Sequence, residues 1–390
     1  MGTLVLVGLL GVLSSPVQAA EPSITTVAGS CEGSSNPTFY PSNRRLVVTS
    51  RGRRIAVFDP HGSDVKLAWR DAGDTDWTTT SIFDNGSDEV LNDRPASIAL
   101  DGRGHAWVVW SGYTFDRISP VKLRRLSELN SPAGPSIGPV VTVEPAGQGN
   151  AFADIEIRRG KGFIVWLRKK DAQTYDLMTV MFDDLSTPTP DLRHRAVLFS
   201  GTNANTSGTL VKTPKGMRVV ARAGELRVFV HGGGTDWRPG RATRTMPDRS
   251  RPSAVVFDGG LLVAYQAAPY NEDIVRIARF SLKGNAATTL LTTPAGYVHP
   301  TLSSSRNAAW ALMVKKGTDR SVVSRRFAGS QWSRERTELS PDVANGGDYA
   351  WPNAMRRTRR TLRFLVDGER CATTSQANAV LAVERRIRRP

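Results

Sequence analysis

Apolar residues fall along this chain in short runs of four to seven, and the runs come in pairs. Each pair is joined by a short turn rich in Gly, Arg, Lys, Asp or Asn, which is a β-hairpin signature. Seven copies are legible: Arg44–Phe58, Ala96–Trp110, Ala153–Trp166, Gly208–Ala221, Ser253–Tyr265, Pro300–Val314 and Pro352–Val366. Their first residues are spaced by 52, 57, 55, 45, 47 and 52 positions. A period near fifty built only from strand signals predicts a β-propeller.

Weaker hairpins follow six of the seven. Val65–Trp69 leads to Thr78–Phe83, Leu226–Val230 to a strand near Ala242, and Val322–Phe327 to Glu335–Leu339; similar pairs occupy 121–143, 176–199 and 275–291. Each repeat then holds four strands, one blade. No helix with caps survives inspection; Asp171–Met181 comes nearest, but Tyr175, Thr179, Val180 and Phe182 favour a strand. The seventh repeat shows only Ala379–Glu384 after its hairpin, so it lacks an outer strand. Ser23–Ala28 can supply it. The expected fold is all-β: a seven-bladed propeller closed by the N-terminal strand pairing in the last blade, which leaves no open sheet edge.

Ahead of the repeats, Leu4–Leu13 is apolar, Ser14-Ser15-Pro16 breaks it, and Val17-Gln18-Ala19 offers small residues for a signal peptidase. The expected organisation is a secretory signal over 1–20 and one propeller domain over 21–390. The apolar stretch is shorter than the roughly 20 residues a membrane span needs. Export suits the two cysteines, Cys31 before the first hairpin and Cys371 after the last, which are expected to form a disulfide tying the chain ends together.

Charge changes the picture further. Lys and Arg number 52 against 36 Asp and Glu, a formal charge of +16. A basic exported protein points to an acidic polysaccharide or another polyanionic extracellular polymer, with nucleic acid the weakest candidate. Arg exceeds Lys, as compositional bias alone also produces. The terminal Arg385-Arg386-Ile387-Arg388-Arg389 reads as a solvated tail.

The turn Asp71-Ala-Gly-Asp-Thr-Asp-Trp77 resembles the Asp-box of sialidase-like propellers, Ser-x-Asp-x-Gly-x-Thr-Trp, although Arg70 stands in place of the Ser and Asp76 is inserted before the Trp. Gly234–Trp237 and Gly329–Trp332 keep the Gly-x-x-Trp part. The chain is thus similar to divergent members of the bacterial neuraminidase-repeat superfamily. In that superfamily such boxes staple turns and carry no chemistry. The family's three arginines, Tyr–Glu pair and Asp acid do not transfer residue by residue: Arg94-Pro95 lacks the Ile of the family's Arg-Ile-Pro and lies in the second repeat. Seven blades resemble instead the propeller-type polysaccharide lyases and seven-bladed lectins.

In a propeller the loops joining second to third strand, and outermost strand to the next innermost one, emerge together and would carry the site. The latter loops share a form, with Arg94, Arg251, His299 and Trp351 each standing before a Pro. These four form a candidate ring at the channel mouth. The former loops add Asp59, His61, Tyr113, Asp116, Arg117, Lys169, Lys170, Asp171, Tyr175, Tyr270, Glu272, Asp273, Asp319 and Arg320. Arg94, Arg251, Trp351, Arg117 and His61 are the expected substrate-binding residues, because guanidinium grips a carboxylate in bidentate fashion. His299, Tyr270 and Tyr297 are candidate bases for a lyase. Asp93, Glu272 and Asp348 are candidate carboxylates for a hydrolase. A binding or scaffold module without catalysis is the alternative. The five histidines show no metal-ligand spacing, so neither metal nor cofactor is expected. His105 and His231 read as structural residues inside strands, and Asp101–Gly104 as a hairpin turn.

If Cys31 and Cys371 are bonded, reduction lowers the melting temperature of the purified protein. Labelling of both thiols in the unreduced, unfolded chain would exclude the bond.

Overall fold

The computed structural model describes residues 22–29, 44–59, 65–82, 96–111, 120–145, 149–171, 174–202, 207–223, 225–240, 251–267, 272–284, 288–318, 320–340, 349–358, 360–370 and 378–387. Strand β1 (Ser23–Ala28) comes first in the chain and last in the ring. Blade 1 is β2 (Leu46–Val48), β3 (Arg54–Phe58), β4 (Lys66–Arg70) and β5 (Thr78–Ser81). Blade 2 is β6 (Ala96–Leu100), β7 (Ala106–Ser111), β8 (Val121–Ser127) and β9 (Ser136–Glu144). Blade 3 is β10 (Asn150–Arg158), β11 (Lys161–Lys169), β12 (Tyr175–Phe182) and β13 (Leu192–Thr202). Blade 4 is β14 (Gly208–Thr213), β15 (Gly216–Ala223), β16 (Glu225–Gly233) and β17 (Asp236–Pro239). Blade 5 is β18 (Ser253–Phe257), β19 (Gly260–Gln266), β20 (Val275–Ser281) and β21 (Thr288–Thr292). Blade 6 is β22 (Tyr297–Ser304), β23 (Ala309–Lys315) and β24 (Ser321–Ala328), with a broken outer strand, β25 (Gln331–Trp332) and β26 (Arg336–Leu339). Blade 7 is β27 (Ala350–Ala354), β28 (Thr361–Arg370), β29 (Asn378–Arg386) and then β1.

All pairings within blades are antiparallel, and β1 runs against β29 with Ser23 opposite Glu384. The ring is therefore closed as the repeat pattern predicts. Among the described residues no helix is long and apolar enough to cross a membrane.

The inner strands are apolar on both faces because each blade is sandwiched between two others. β7 and β12 are buried along their whole length, whereas outer strand β5 is half exposed. Seven apolar cores result, one per blade interface. Trp107 of blade 2 meets Phe182 of blade 3 with ring centroids 4.9 Å apart. Gly162 makes room for that Phe182 ring, which a Cβ at 162 would approach to 2.0 Å.

Four details differ from the sequence reading. Pro300 and Pro352 lie inside β22 and β27, which begin three and two residues earlier. The innermost edge faces the channel, so a missing N–H breaks no ladder there. Arg385 and Arg386 are strand rather than tail: Arg385 reaches the buried Glu338 of blade 6 at 2.8 Å, and Ile387 packs on the blade 6–7 core. His105 stands just before β7 and bonds Asp101 at 2.7 Å through Nδ1, and the strand expected near Ala242 is β17.

Two polar systems fasten the ring. One surrounds the axis, where innermost strands of neighbouring blades run side by side without pairing into one sheet. Their inward N–H groups need acceptors. Small polar side chains at one register position supply them: Ser97, Asp154, Thr209, Ser253, Thr301 and Asn353, all buried. Arg44 N–H donates to Ser97 Oγ (3.2 Å), Leu210 N–H to Asp154 Oδ2 (2.8 Å), Leu302 N–H to Ser253 Oγ (3.0 Å), Ala354 N–H to Thr301 Oγ1 (3.3 Å) and Arg45 N–H to Asn353 Oδ1 (3.2 Å). Ser97 Oγ also donates to Asp154 Oδ1 at 2.6 Å.

The other system lies further out, where Glu384 of β29 collects Arg54 (2.6 Å) and Arg70 (3.0 Å) of blade 1 and Arg363 (3.2 Å) of its own blade. Burial raises the Glu384 carboxyl, but these guanidinium groups outweigh it and hold it below its ordinary value. Arg70 also covers the Trp77 ring, whose Nε1 donates to Thr25 Oγ1 of β1 at 3.1 Å. Asp71 is held by both ends of the Arg53 guanidinium.

Thr301→Val keeps the side-chain shape and removes the acceptor for Ala354 N–H. Chemical denaturation should show a loss of about 1–3 kcal/mol, the cost of an unpaired buried donor.

Candidate functional site

Each innermost strand starts at the loop face, where the inter-blade loops and second-to-third-strand loops emerge, and ends at the opposite face of short hairpin turns. The residue two before the polar ring is therefore placed at the loop-face mouth. In blades 3, 5, 6 and 7 it is Phe152, Arg251, His299 and Trp351. A register shift interrupts β10 between Ala151 and Asp154, β22 between Val298 and Thr301, and β27 between Ala350 and Asn353. Phe152 (φ 57°) and His299 (φ 52°) both take the left-handed conformation within these bulges. Asp273, on the blade 5 loop beside them, does too (φ 51°). Such residues cost of order 1–3 kcal/mol each and persist where the surroundings fix them.

The described part of the mouth is cationic. The Arg251 guanidinium lies over the buried Phe152 ring, 4.8 Å from its centroid, reaching from blade 5 to blade 3. His299 is half-buried among positive charges. Burial, then Arg320, Lys316 and Arg251, push its imidazole well below the ordinary histidine range, so it is neutral at pH 7. Lys316 pairs with Asp273 at 2.7 Å, and Asp273 also accepts from Gln266 at 3.2 Å. The main chain locks this corner: Tyr297 N–H donates to the Asp273 carbonyl at 2.6 Å, and Lys316 N–H to the Gly296 carbonyl at 2.7 Å.

Below the mouth a second group of charges crosses the axis. Asp154 and Glu156, two apart on β10, face the same way. Arg44 of blade 1 grips Glu156 with both terminal nitrogens, Lys212 of blade 4 reaches it at 3.0 Å, and Arg356 of blade 7 bonds Asp154 at 2.8 Å. Arg356 further donates to the Leu210 carbonyl and Thr209 Oγ1. Burial would raise the Glu156 carboxyl, but Arg44, Lys212 and Arg356 together bring it down to about 2. This plug joins blades 1, 3, 4 and 7 and gives the mouth a floor of paired charges.

The structure brings His299 and Arg251 together with Arg320. It engages Tyr297 elsewhere: the ring lies in the blade 5–6 core, and its hydroxyl donates to Glu335 at 2.6 Å. Burial first, then the Glu335 bond, raise that phenol, so it keeps its proton at neutral pH. Glu335 also pairs with Lys315 at 3.1 Å. Tyr175 is buried in the blade 3–4 core, and Asp59 is buried beside Arg45 at 3.6 Å, so neither is offered at the mouth. Lys170 bonds Ser200 and Asp171 closes its own turn on Thr174. Glu272 is exposed on the loop before β20. Trp351 lies on β27 at the mouth register. Tyr270, Asp93, Arg94, Arg117, His61, Asp348, Tyr113, Asp116, Asp319, Cys31 and Cys371 lie outside the described residues.

Sequence reasoning missed Phe152, Lys316, the axial plug and the polar ring. The ring did leave a signal, since a small polar residue recurs at the same place in six repeats. Phe152 and Lys316 left none, because their roles arise from contacts between blades.

No protein-family model matches the sequence, and no curated protein matches it. Solved structures do match in fold. AofleA from Arthrobotrys oligospora superposes with a TM-score of 0.52 at 13% identity, covering 83% of this chain and 92% of that one. Trypanosoma rangeli sialidase in complex with the inhibitor DANA superposes with a TM-score of 0.53 at 10% identity, covering 94% of this chain and 60% of the sialidase. The likeness is one of β-propeller fold, at an identity that shows architecture alone.

The Glu156 carboxyl is depressed in the folded protein, about 2 against an unfolded value near 4.3. Its contribution, roughly 3 kcal/mol, is complete above that unfolded value and is lost as pH falls from about 4.3 toward 2. Glu156→Gln should flatten this acid limb in a pH series of denaturation curves. It should also cost about 3–5 kcal/mol at pH 7, because Arg44 and Lys212 lose their carboxylate partner.

Proposed function

We propose that the protein is an exported, glycan-binding propeller that holds acidic sugars at its loop-face mouth. The observation that carries this reading is the neutral His299 set among Arg251, Lys316 and Arg320. A carboxylate or sulfate entering there meets guanidinium donors that can bind it in bidentate fashion. The imidazole adds an N–H without adding charge. Phe152 props the Arg251 guanidinium from below and limits the side-chain freedom that binding would otherwise remove. The fold neighbours support a carbohydrate role in one respect: the sialidase structure is a complex with an inhibitor.

A second reading rests on the same imidazole. An unprotonated His299 beside a cationic carboxylate clamp is placed to take the proton next to a uronic carboxylate, the first step of a lyase. Tyr297 is not free for that step, since its proton is committed to Glu335. Export through the leader over 1–20 and a bond between Cys31 and Cys371 belong to this proposal too.

Retention on a panel of uronic-acid, sialylated and neutral polymers tests it. Acidic polymers should be retained selectively, and Arg251→Ala should weaken retention about 10- to 100-fold, the worth of a charged hydrogen bond. Rising ultraviolet absorbance would establish the lyase reading, and new reducing ends without absorbance a hydrolase. Equal retention of neutral and acidic polymers at low salt would sink the proposal.

A further inference from the structure

The face opposite the mouth carries its own charge pattern. It is built from the inner hairpin turns, which join innermost to second strands and encircle the far end of the channel. Six of the seven turns place an exposed cation there: Arg51, Arg103, Arg159, Lys215, Arg306 and Arg357. Blade 5 alone has an acid instead, Asp258, and that acid is held by Arg279 at 3.0 Å. None of the six cationic side chains forms an ion pair with a described residue.

Several carboxylates of this face are engaged, although Asp74, Asp76 and Glu128 stand exposed on its outer turns and Asp184 feels the charge of Arg103. Asp101 is tied to His105, Asp71 to Arg53 and Asp183 to Lys161, while Asp184 turns back onto Ser186. Like charges accumulate as a result. Burial, and then the charge of Arg159, hold the neighbouring Arg158 guanidinium below its ordinary value. An excess of cations on one face costs self-repulsion, and all six side chains are exposed to solvent.

The shape of the array narrows what could answer it. The turns are short and leave the ring at one end, so their tips reach similar depth and lie around a circle. A linear polyanion laid across a circle touches only the cations along its path. A planar anionic surface meets all of them at once. No large apolar side chain is exposed at these turns to insert among lipid tails: the exposed large hydrophobics among the described residues are Ile24 and Val197, both on outer strands. We propose that this face docks electrostatically on an anionic lipid bilayer. The mouth on the opposite face then points away from the membrane, so both surfaces can work together. The proposal stands whether or not the mouth binds glycans, because the two faces share no residue.

Co-sedimentation with vesicles of equal parts phosphatidylcholine and phosphatidylglycerol, against pure phosphatidylcholine, tests it on the full chain. Binding should appear only with the anionic lipid and fall as salt is raised. A cation near such a surface contributes about 1 kcal/mol, or about fivefold in partition coefficient. The triple variant Arg51→Ala, Arg103→Ala, Arg159→Ala should therefore lose on the order of 100-fold, with an unchanged thermal melt. Arg320→Ala at the mouth should bind vesicles as the parent does. Equal binding to neutral vesicles would overturn the proposal. So would loss of binding through Arg320→Ala but not the triple variant, or retention on heparin with no vesicle binding.

Discussion

A propeller's innermost strands create a hydrogen-bonding problem that the rest of the ring depends on solving. Seven strands converge around one axis without forming one sheet, although Ile98 N–H bonds the Arg44 carbonyl and Ser304 bridges Arg357 across blade boundaries. They lie too deep for water to satisfy every N–H. A side-chain acceptor at one register position answers it, with Ser253 serving Leu302, Thr301 serving Ala354 and Asn353 serving Arg45. These bonds tie neighbouring blades together near the axis. The apolar interfaces outside them can then close around Trp107, Trp166 and Trp310, all three fully buried. Hydrophobic burial supplies most of the driving force but has no direction; the polar ring supplies direction.

Asp154 shows how the same constraint becomes functional architecture. It takes the ring position in blade 3, receives Leu210 N–H and Ser97 Oγ–H, and still carries a charge that must be matched. Arg356 crosses the axis to match it, and Glu156 beneath draws in Arg44 and Lys212. An interior charge demands its counter-charge, and here the demand is met by side chains from four blades. The channel acquires a floor and the mouth becomes a cup. At the ring's seam the same logic operates further from the axis, where Glu384 gathers arginines from both sides of the junction.

The two faces then divide the remaining charge. On the loop face cations surround the half-buried His299 imidazole and a strained backbone corner, where we propose that a ligand binds. On the turn face six of the seven inner turns carry an exposed cation, more than the exposed acids Asp74, Asp76 and Glu128 on its outer turns. A formal charge of +16 is therefore an arrangement in space as well as a composition.

What the sequence by itself determined is everything that repeats. Seven hairpins, four strands to a blade and a last blade completed by Ser23–Ala28 follow from periodic apolar runs and a missing strand, because burial between blades forces continuous apolar segments. The Pro after Arg251 and His299 pointed to an innermost strand at each, although β22 begins three residues before Pro300. Only the tertiary structure decided what happens between repeats. Tyr297 turned into the blade 5–6 core and donated its hydroxyl hydrogen bond to Glu335, 38 positions away. Arg385 left the expected tail to meet Glu338. Phe152 came under Arg251, and Arg356 reached Asp154 across the axis. Each of these joins residues far apart in the chain, and local periodicity holds no information about which side chains a closed ring brings face to face.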